Sequence, residues 1–218
     1  MTTHEKWIEK TREHVEQLFK GEGSGHDYQH IYRVWKMAYH IAEEEGANKT
    51  ISELGALLHD IADWKFYDGD DTIGPKKAEE WMKKIGVDYP IIEQVKYIVA
   101  SISFKGSEVA TPMTTLEGKT VQDADRLDAI GAVGIGRAFA FGGNKNRLMY
   151  HPEEPPVVHQ SFEAYKKNKS HTINHFYEKL LLLKDRMNTE TGKKIAKARH
   201  QFMEEYLDRF LREWNGYA

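Results

Sequence analysis

Apolar residues recur at three- and four-residue intervals along the chain, and strict alternation is nearly absent, so the pattern predicts an all-helical fold. Trp7, Thr11, Val15 and Leu18 line one stripe of a first helix ending at Gly21, before the flexible break "GEGSG". Asp27 caps a second helix with Ile31, Val34, Ala38 and Ile41 inward, ending near Gly46. Thr50 and Glu53 have capping-box spacing and start a third helix just before Ile51. Pro75 and Gly86 bracket a fourth, and Pro90 opens a fifth through Val95 and Ile98. Thr120 with Asp123 caps a sixth, which carries Leu127, Ile130 and Val133 and stops before Gly142-Gly143. Residues 142–160, with three prolines after Tyr150, are the longest stretch without a pattern. Three further helices follow: a short one from Ser161, one through "HFYEKLLLLKDRM" and a last one through "KKIAKARHQFMEEYLDRFLREW".

At 218 residues the chain is read as a single domain, spanning 1–218, with a core over about 25–140 and C-terminal helices over about 161–215. The formal net charge is -3 and the basic residues are scattered in short groups, which argues against a nucleic-acid surface. The absence of cysteine excludes disulfides, thiolate nucleophiles and zinc-finger ligation. No apolar run approaches the ~20 residues of a membrane span and the first residues lack a signal-peptide core, so a cytoplasmic protein is expected.

Several ionisable residues fall on helical faces that are otherwise apolar. In "ALLHDIADWKF", His59 and Asp63 share a face, with Asp60 beside them. "HDYQHIYRVWKMA" puts His30 and Arg33 within one turn, flanked by His26, and "VQDADRLDAIGAVGIG" supplies Asp123, Asp125 and Asp128. Taken singly, these are a chance His-Asp pair, a helix-surface pair and a capped helix start, the last of which suits Asp123. Taken together, they place imidazole or carboxylate on three core helices. Burying such groups without compensation costs several kcal/mol each, and a divalent cation among them supplies the opposite charge. A nitrogen and oxygen donor set without sulfur suits one ion of manganese, magnesium, cobalt, iron or nickel.

The series from "HDYQHIYRV" through "LLHDIADW" to "QDADRLDAIGA" resembles the HD-domain metal-dependent phosphohydrolases. "TLEGKTVQDADRLDAIGAVGIGRAF" and "HFYEKLLLLKDRMNTETGKKIA" are similar to the small bacterial branch that includes nucleotide pyrophosphohydrolases. The resemblance implies an HD-type helical bundle with additional C-terminal helices, and His30, His59, Asp60 and Asp125 as metal ligands. It also implies Asp63 as catalytic acid or base, standing where related enzymes often have Glu. Arg33 is the first candidate for a phosphate clamp, because its planar fork matches phosphate oxygens, and Lys65 is the second. His26, Lys105, Arg126, His175, Lys179 and Lys184 are further candidates for the substrate pocket, with ordinary solvation or ion pairing as the alternative for each. His175 and Lys179 share a helical face.

"EGKTVQ" is not a phosphate-binding P-loop, since Met113 stands where the earlier glycine is needed, and the glycines of "GAVGIGRAF" continue a helix instead of following a strand. None of the 11 histidines falls between His59 and His151, which disfavours a histidine-supported second metal and hence the two-metal oxygenases and cyclic-nucleotide esterases of this fold. The expected activity is metal-dependent hydrolysis of a nucleoside triphosphate to monophosphate and pyrophosphate. A 5'-nucleotidase, a regulatory module that binds metal and nucleotide with little turnover, and a metal-free bundle with buried ion pairs remain as alternatives.

Overall fold

The structure, a computed structural model, describes residues 1–21, 27–62, 72–102, 111–157 and 170–217. It is all-α: the described residues contain helices and turns and no strand. They divide into two compact units, the described residues up to 125 and those from 126 onward.

The first unit holds α1 (Thr3–Leu18), α2 (Tyr28–Glu45), α3 (Lys49–Leu58), α4 (Ile73–Lys84), α5 (Tyr89–Ser101) and most of α6 (Leu116–Asp128). Helix α3 is its centre, packed on α1, α2 and α5, while α4 packs on α5. Ile51, Leu54, Ala56, Leu57 and Leu58 are all buried, so α3 is apolar on nearly every side, as a helix enclosed by neighbours must be. Gly55 permits this enclosure: a Cβ there would stand 3.3 Å from both Ile98 Cδ1 and Val121 Cγ2.

Helix α2 follows the sequence pattern closely. Asp27 accepts the His30 amide at 2.8 Å, Ile31, Val34, Ala38 and Ile41 are fully buried, and Gly46 ends the helix at φ 70°. Helix α1 buries Trp7, Thr11 and Val15, but Leu18 is half exposed, because the helix ends there and its last turn leaves the packed face. Helix α3 begins earlier than the Thr50–Glu53 spacing suggests. Asn48 is the N-cap, its side chain accepting the Ile51 amide at 3.2 Å, and Glu53 instead receives the Trp35 indole N–H at 2.9 Å. Pro75 lies in the first turn of α4 and Pro90 in that of α5, where a missing N–H costs nothing.

The largest departure concerns the expected sixth helix, which is two helices. Helix α6 starts four residues before Thr120, with the Thr115 hydroxyl accepting the Gly118 amide at 3.1 Å, and it ends at Asp128. Thr120 and Asp123 are therefore buried in the body of α6 and do not stand at its start. Helix α7 (Gly131–Asn144) follows after a turn in which Gly131 adopts φ 76°, a left-handed conformation that an L-residue resists. Val133, expected inside, is exposed.

The second unit comprises the end of α6, α7, α8 (Thr172–Glu178), a 3₁₀ helix over Leu180–Arg186 and α9 (Glu190–Trp214). The helix expected through "HFYEKLLLLKDRM" is thus broken at Lys179, whose φ of -142° is non-helical, and only its first part is α. Helix α9 packs on α7 and on the 3₁₀ segment. Phe139, Phe176, Tyr206 and Phe210 form an aromatic cluster with ring centroids about 6 Å apart. Residues 147–157 carry no regular structure, as expected, yet they are tied to α8: the Thr172 and Ile173 amides donate to the Leu148 and Met149 carbonyls, and Asn174 Nδ2 donates to the Glu154 carbonyl. The short helix expected from Ser161 lies outside the described residues.

Candidate metal centre

The first unit brings together donors from three helices. His30 enters from the first turn of α2, His59 and Asp60 from the end of α3, and Asp125 from α6. The two imidazoles are buried, whereas the side chains of Asp60 and Asp125 are 21% and 34% exposed, so the cluster opens toward solvent on its carboxylate side.

His59 Nδ1 lies 2.7 Å from the Ala56 carbonyl, three residues back along α3. A carbonyl only accepts, so Nδ1 carries the proton and Nε2 presents its lone pair to the cluster. That Nε2 is 3.3 Å from His30 Nε2. Asp60 Oδ2 lies 3.7 Å from His30 Nε2 and 3.6 Å from His59 Nε2, and Asp125 Oδ1 lies 3.5 and 3.9 Å from the same two atoms.

These separations exceed the 2.7–3.2 Å of ordinary hydrogen bonds. They are close to what donors around one first-row cation need, since bonds of about 2.0–2.2 Å at tetrahedral or octahedral angles put neighbouring ligand atoms about 2.8–3.6 Å apart. The His30, His59 and Asp60 donor atoms all lie within 4.8 Å of one another. Two imidazole nitrogens and carboxylate oxygens, with one imidazole held in the ligating tautomer, form a donor set that fits a divalent ion.

The three aspartates of α6 separate by environment. Asp123 is fully buried, Asp128 is buried with Oδ2 2.7 Å from Arg137 Nη1, and Asp125 faces the histidines. Arg33 is half-buried on α2, one turn after His30. Arg126 is buried and donates to the Arg186 main-chain carbonyl, so part of its guanidinium is committed to the fold. His175 and Lys179 lie in the second unit, on and just after α8, with the Lys179 amide donating to the His175 carbonyl. Burial, together with the nearby cations of Lys179 and Arg147, pushes the His175 imidazole down to about 3, so it is neutral at pH 7. Arg147, which completes this basic group, has no sequence signal beyond its charge. Lys184 is partly exposed and lies 3.7 Å from Asp185. His26, Asp63, Lys65 and Lys105 lie outside the described residues.

The "EGKT" triplet lies within α6, and no described strand precedes it. No helix among the described residues is long and apolar enough to cross a membrane.

A model of the HD domain family matches residues 27–130, a span that contains all four donors. The chain is 38% identical over 205 residues to the uncharacterized protein YpgQ of Bacillus subtilis, covering 93% of this chain and 91% of that one. Among solved structures, an HD-superfamily hydrolase from Bacillus thuringiensis is 44% identical with a TM-score of 0.77, over 98% of this chain and 99% of that one. Bacillus subtilis YpgQ in complex with ADP is 36% identical with a TM-score of 0.74, over 97% and 96% of the two chains.

Proposed function

Because the chain belongs to the HD domain family, we propose that it is a divalent-metal-dependent phosphohydrolase that cleaves nucleoside or deoxynucleoside triphosphates to monophosphate and pyrophosphate. The observation that carries this reading is the pair of His30 and His59 Nε2 atoms 3.3 Å apart, with an Asp60 and an Asp125 carboxylate oxygen each within 3.5–3.9 Å of them and His59 Nδ1 tied to the Ala56 carbonyl. Two further findings support it: the HD-superfamily hydrolase that shares 44% of the sequence, and the ADP bound to YpgQ of Bacillus subtilis, which points to a nucleotide as the ligand class.

In this reading His30 and His59 supply neutral nitrogens, and Asp60 and Asp125 supply the negative charge that makes the site selective for a cation. When bound, the ion supplies a Lewis acid that polarises the phosphoryl group and acidifies the attacking water. Arg33 holds phosphate oxygens in its planar fork, one turn from the ligand His30. Asp63 takes the proton released by the attacking water, and Lys65 offsets charge that develops on the phosphate oxygens.

The test is hydrolysis by the purified protein of a nucleotide panel with manganese, cobalt or magnesium, followed by chromatographic identification of products. Pyrophosphate together with monophosphate is the expected pair. Nucleoside and phosphate released from monophosphates would make the protein a 5'-nucleotidase. Thermal stabilisation by nucleotide with no product at high protein concentration would make it a binding module. Unchanged turnover in His59→Ala and Asp60→Ala would remove the metal centre from the mechanism.

A further inference from the structure

The turn that joins α6 to α7 is held by polar groups of the second unit. Asp128, the last residue of α6, is buried, with Oδ2 2.7 Å and its main-chain carbonyl 3.3 Å from Arg137 Nη1. From α9, Arg199 reaches the preceding carbonyl and donates Nη1–H to Leu127 O at 2.6 Å. Its alkyl chain runs across Gly131, where an added Cβ would stand 2.9 Å from Arg199 Cγ, so only glycine lets this side chain through. Gly131 at φ 76° also makes the turn itself. Cations at the C-terminal end of a helix bind its last carbonyls and are favoured by its dipole.

Arg137 and Arg199 are half-buried, and taking guanidiniums even partly out of water carries a desolvation cost that an apolar corner would not. What such a polar corner adds is directional: hydrogen bonds at 2.6–2.7 Å hold the last turn of α6 in helical geometry. Asp125 precedes Leu127 by two residues, about 3 Å along the same helix axis. A ligand carboxylate must be held within about 0.5 Å of its working position.

We propose that Arg199 and the Asp128–Arg137 pair are positioning residues that fix the last turn of α6 and, through the continuous helix, the orientation of the Asp125 carboxylate for metal binding. This rests on the reading of Asp125 as a ligand. The residues of the corner belong to the second unit, and the turn of α6 that they hold follows directly on Asp125 in the same helix.

The experiment measures manganese affinity of the full-length protein by calorimetry and by the electron paramagnetic resonance signal of free ion, for wild type, Arg199→Met, Arg199→Lys, Asp128→Asn and Asp125→Asn. Arg199→Met and Asp128→Asn are expected to weaken manganese binding about tenfold, the usual effect of removing a group that orients a ligand. Arg199→Lys, which retains a donor and the charge, is expected to restore part of the loss, and kcat should fall with the nucleotide KM little changed. If Arg199→Met does not fold, the lysine and Asp128→Asn variants carry the comparison. Wild-type manganese affinity in folded variants at Arg199 and Asp128, with binding lost in Asp125→Asn, overturns the positioning role and leaves the ligand assignment standing. Wild-type affinity in Asp125→Asn overturns the ligand assignment itself, and the positioning role with it.

Discussion

Metal-linked stability offers a direct test of the centre. The four donors come from α2, from the end of α3 and from α6, and the unfolded chain cannot present them together, so a cation that binds them binds the folded state alone. Binding then stabilises by RT ln(1 + [M]/Kd), about 2.7 kcal/mol when free ion is at a hundred times Kd. Unfolding entropy of about 2.1 cal/mol/K per residue gives the unit that holds the centre, of about 120 residues, roughly 0.25 kcal/mol per degree, and manganese should raise the midpoint of that unit by about 11 °C. Replacing Asp60 with Asn removes one anionic donor 3.6–3.7 Å from the two imidazole nitrogens. A tenfold loss of affinity would cost about 1.4 kcal/mol at the same ion concentration, close to half of the rise. Scanning calorimetry of wild type, His59→Ala and Asp60→Asn, each in chelator and in graded manganese, reads these shifts. Protons compete with the ion for the imidazoles, so the wild-type rise should shrink on acidification. A wild-type midpoint indifferent to manganese, or variants that rise as much as wild type, would refute the idea that a cation holds these helices together.

The location of the α3 cap can be checked by urea denaturation: Asn48→Ala should cost about 1 kcal/mol, while Thr50→Ala should leave stability within a few tenths of a kcal/mol. Burial and the neighbouring cations hold His175 at about 3 against 6.5 for the free side chain, so the unfolded chain binds the proton that the folded chain refuses. Its contribution to stability is complete above pH 6.5 and is lost as pH falls toward 3, and His175→Gln should flatten that part of a midpoint-versus-pH curve. Glu79, hydrogen-bonded to Lys83 and Lys96 at 2.7 Å, is pulled down to about 2. Its carboxyl resonance should titrate near that value in an NMR experiment, and the stabilisation it brings should be present above pH 4.5 and disappear as pH drops through 2.

Helices with a single strong amphipathic stripe and conventional caps were legible in the linear pattern. Helix α2 is the plainest case, from Asp27 at its start to Gly46 at its end. Pattern failed where helices end for tertiary reasons. Residues 120–142 keep apolar spacing through Gly131, and only the left-handed turn there, wrapped by Arg199, divides the stretch into α6 and α7. Lys179 likewise interrupts a continuous apolar run without any proline or glycine to announce it. In the site, the identities of His30, His59 and Asp60 were readable from their places on helical faces. The resemblance singled out Asp125 among the three aspartates of this stretch, whereas the full burial of Asp123 and the pairing of Asp128 with Arg137 are visible only in three dimensions.

By itself, the order of residues determined an all-helical chain and which side chains each helix could turn inward, because 3.6-residue periodicity and end-capping are local properties. Tertiary structure decided which of those side chains meet. Distances such as 3.3 Å between His30 and His59, twenty-nine residues apart, depend on how closely α2, α3 and α6 approach. That approach is set by what packs between them, such as the missing Cβ of Gly55 between Ile98 and Val121, and no single helix encodes it.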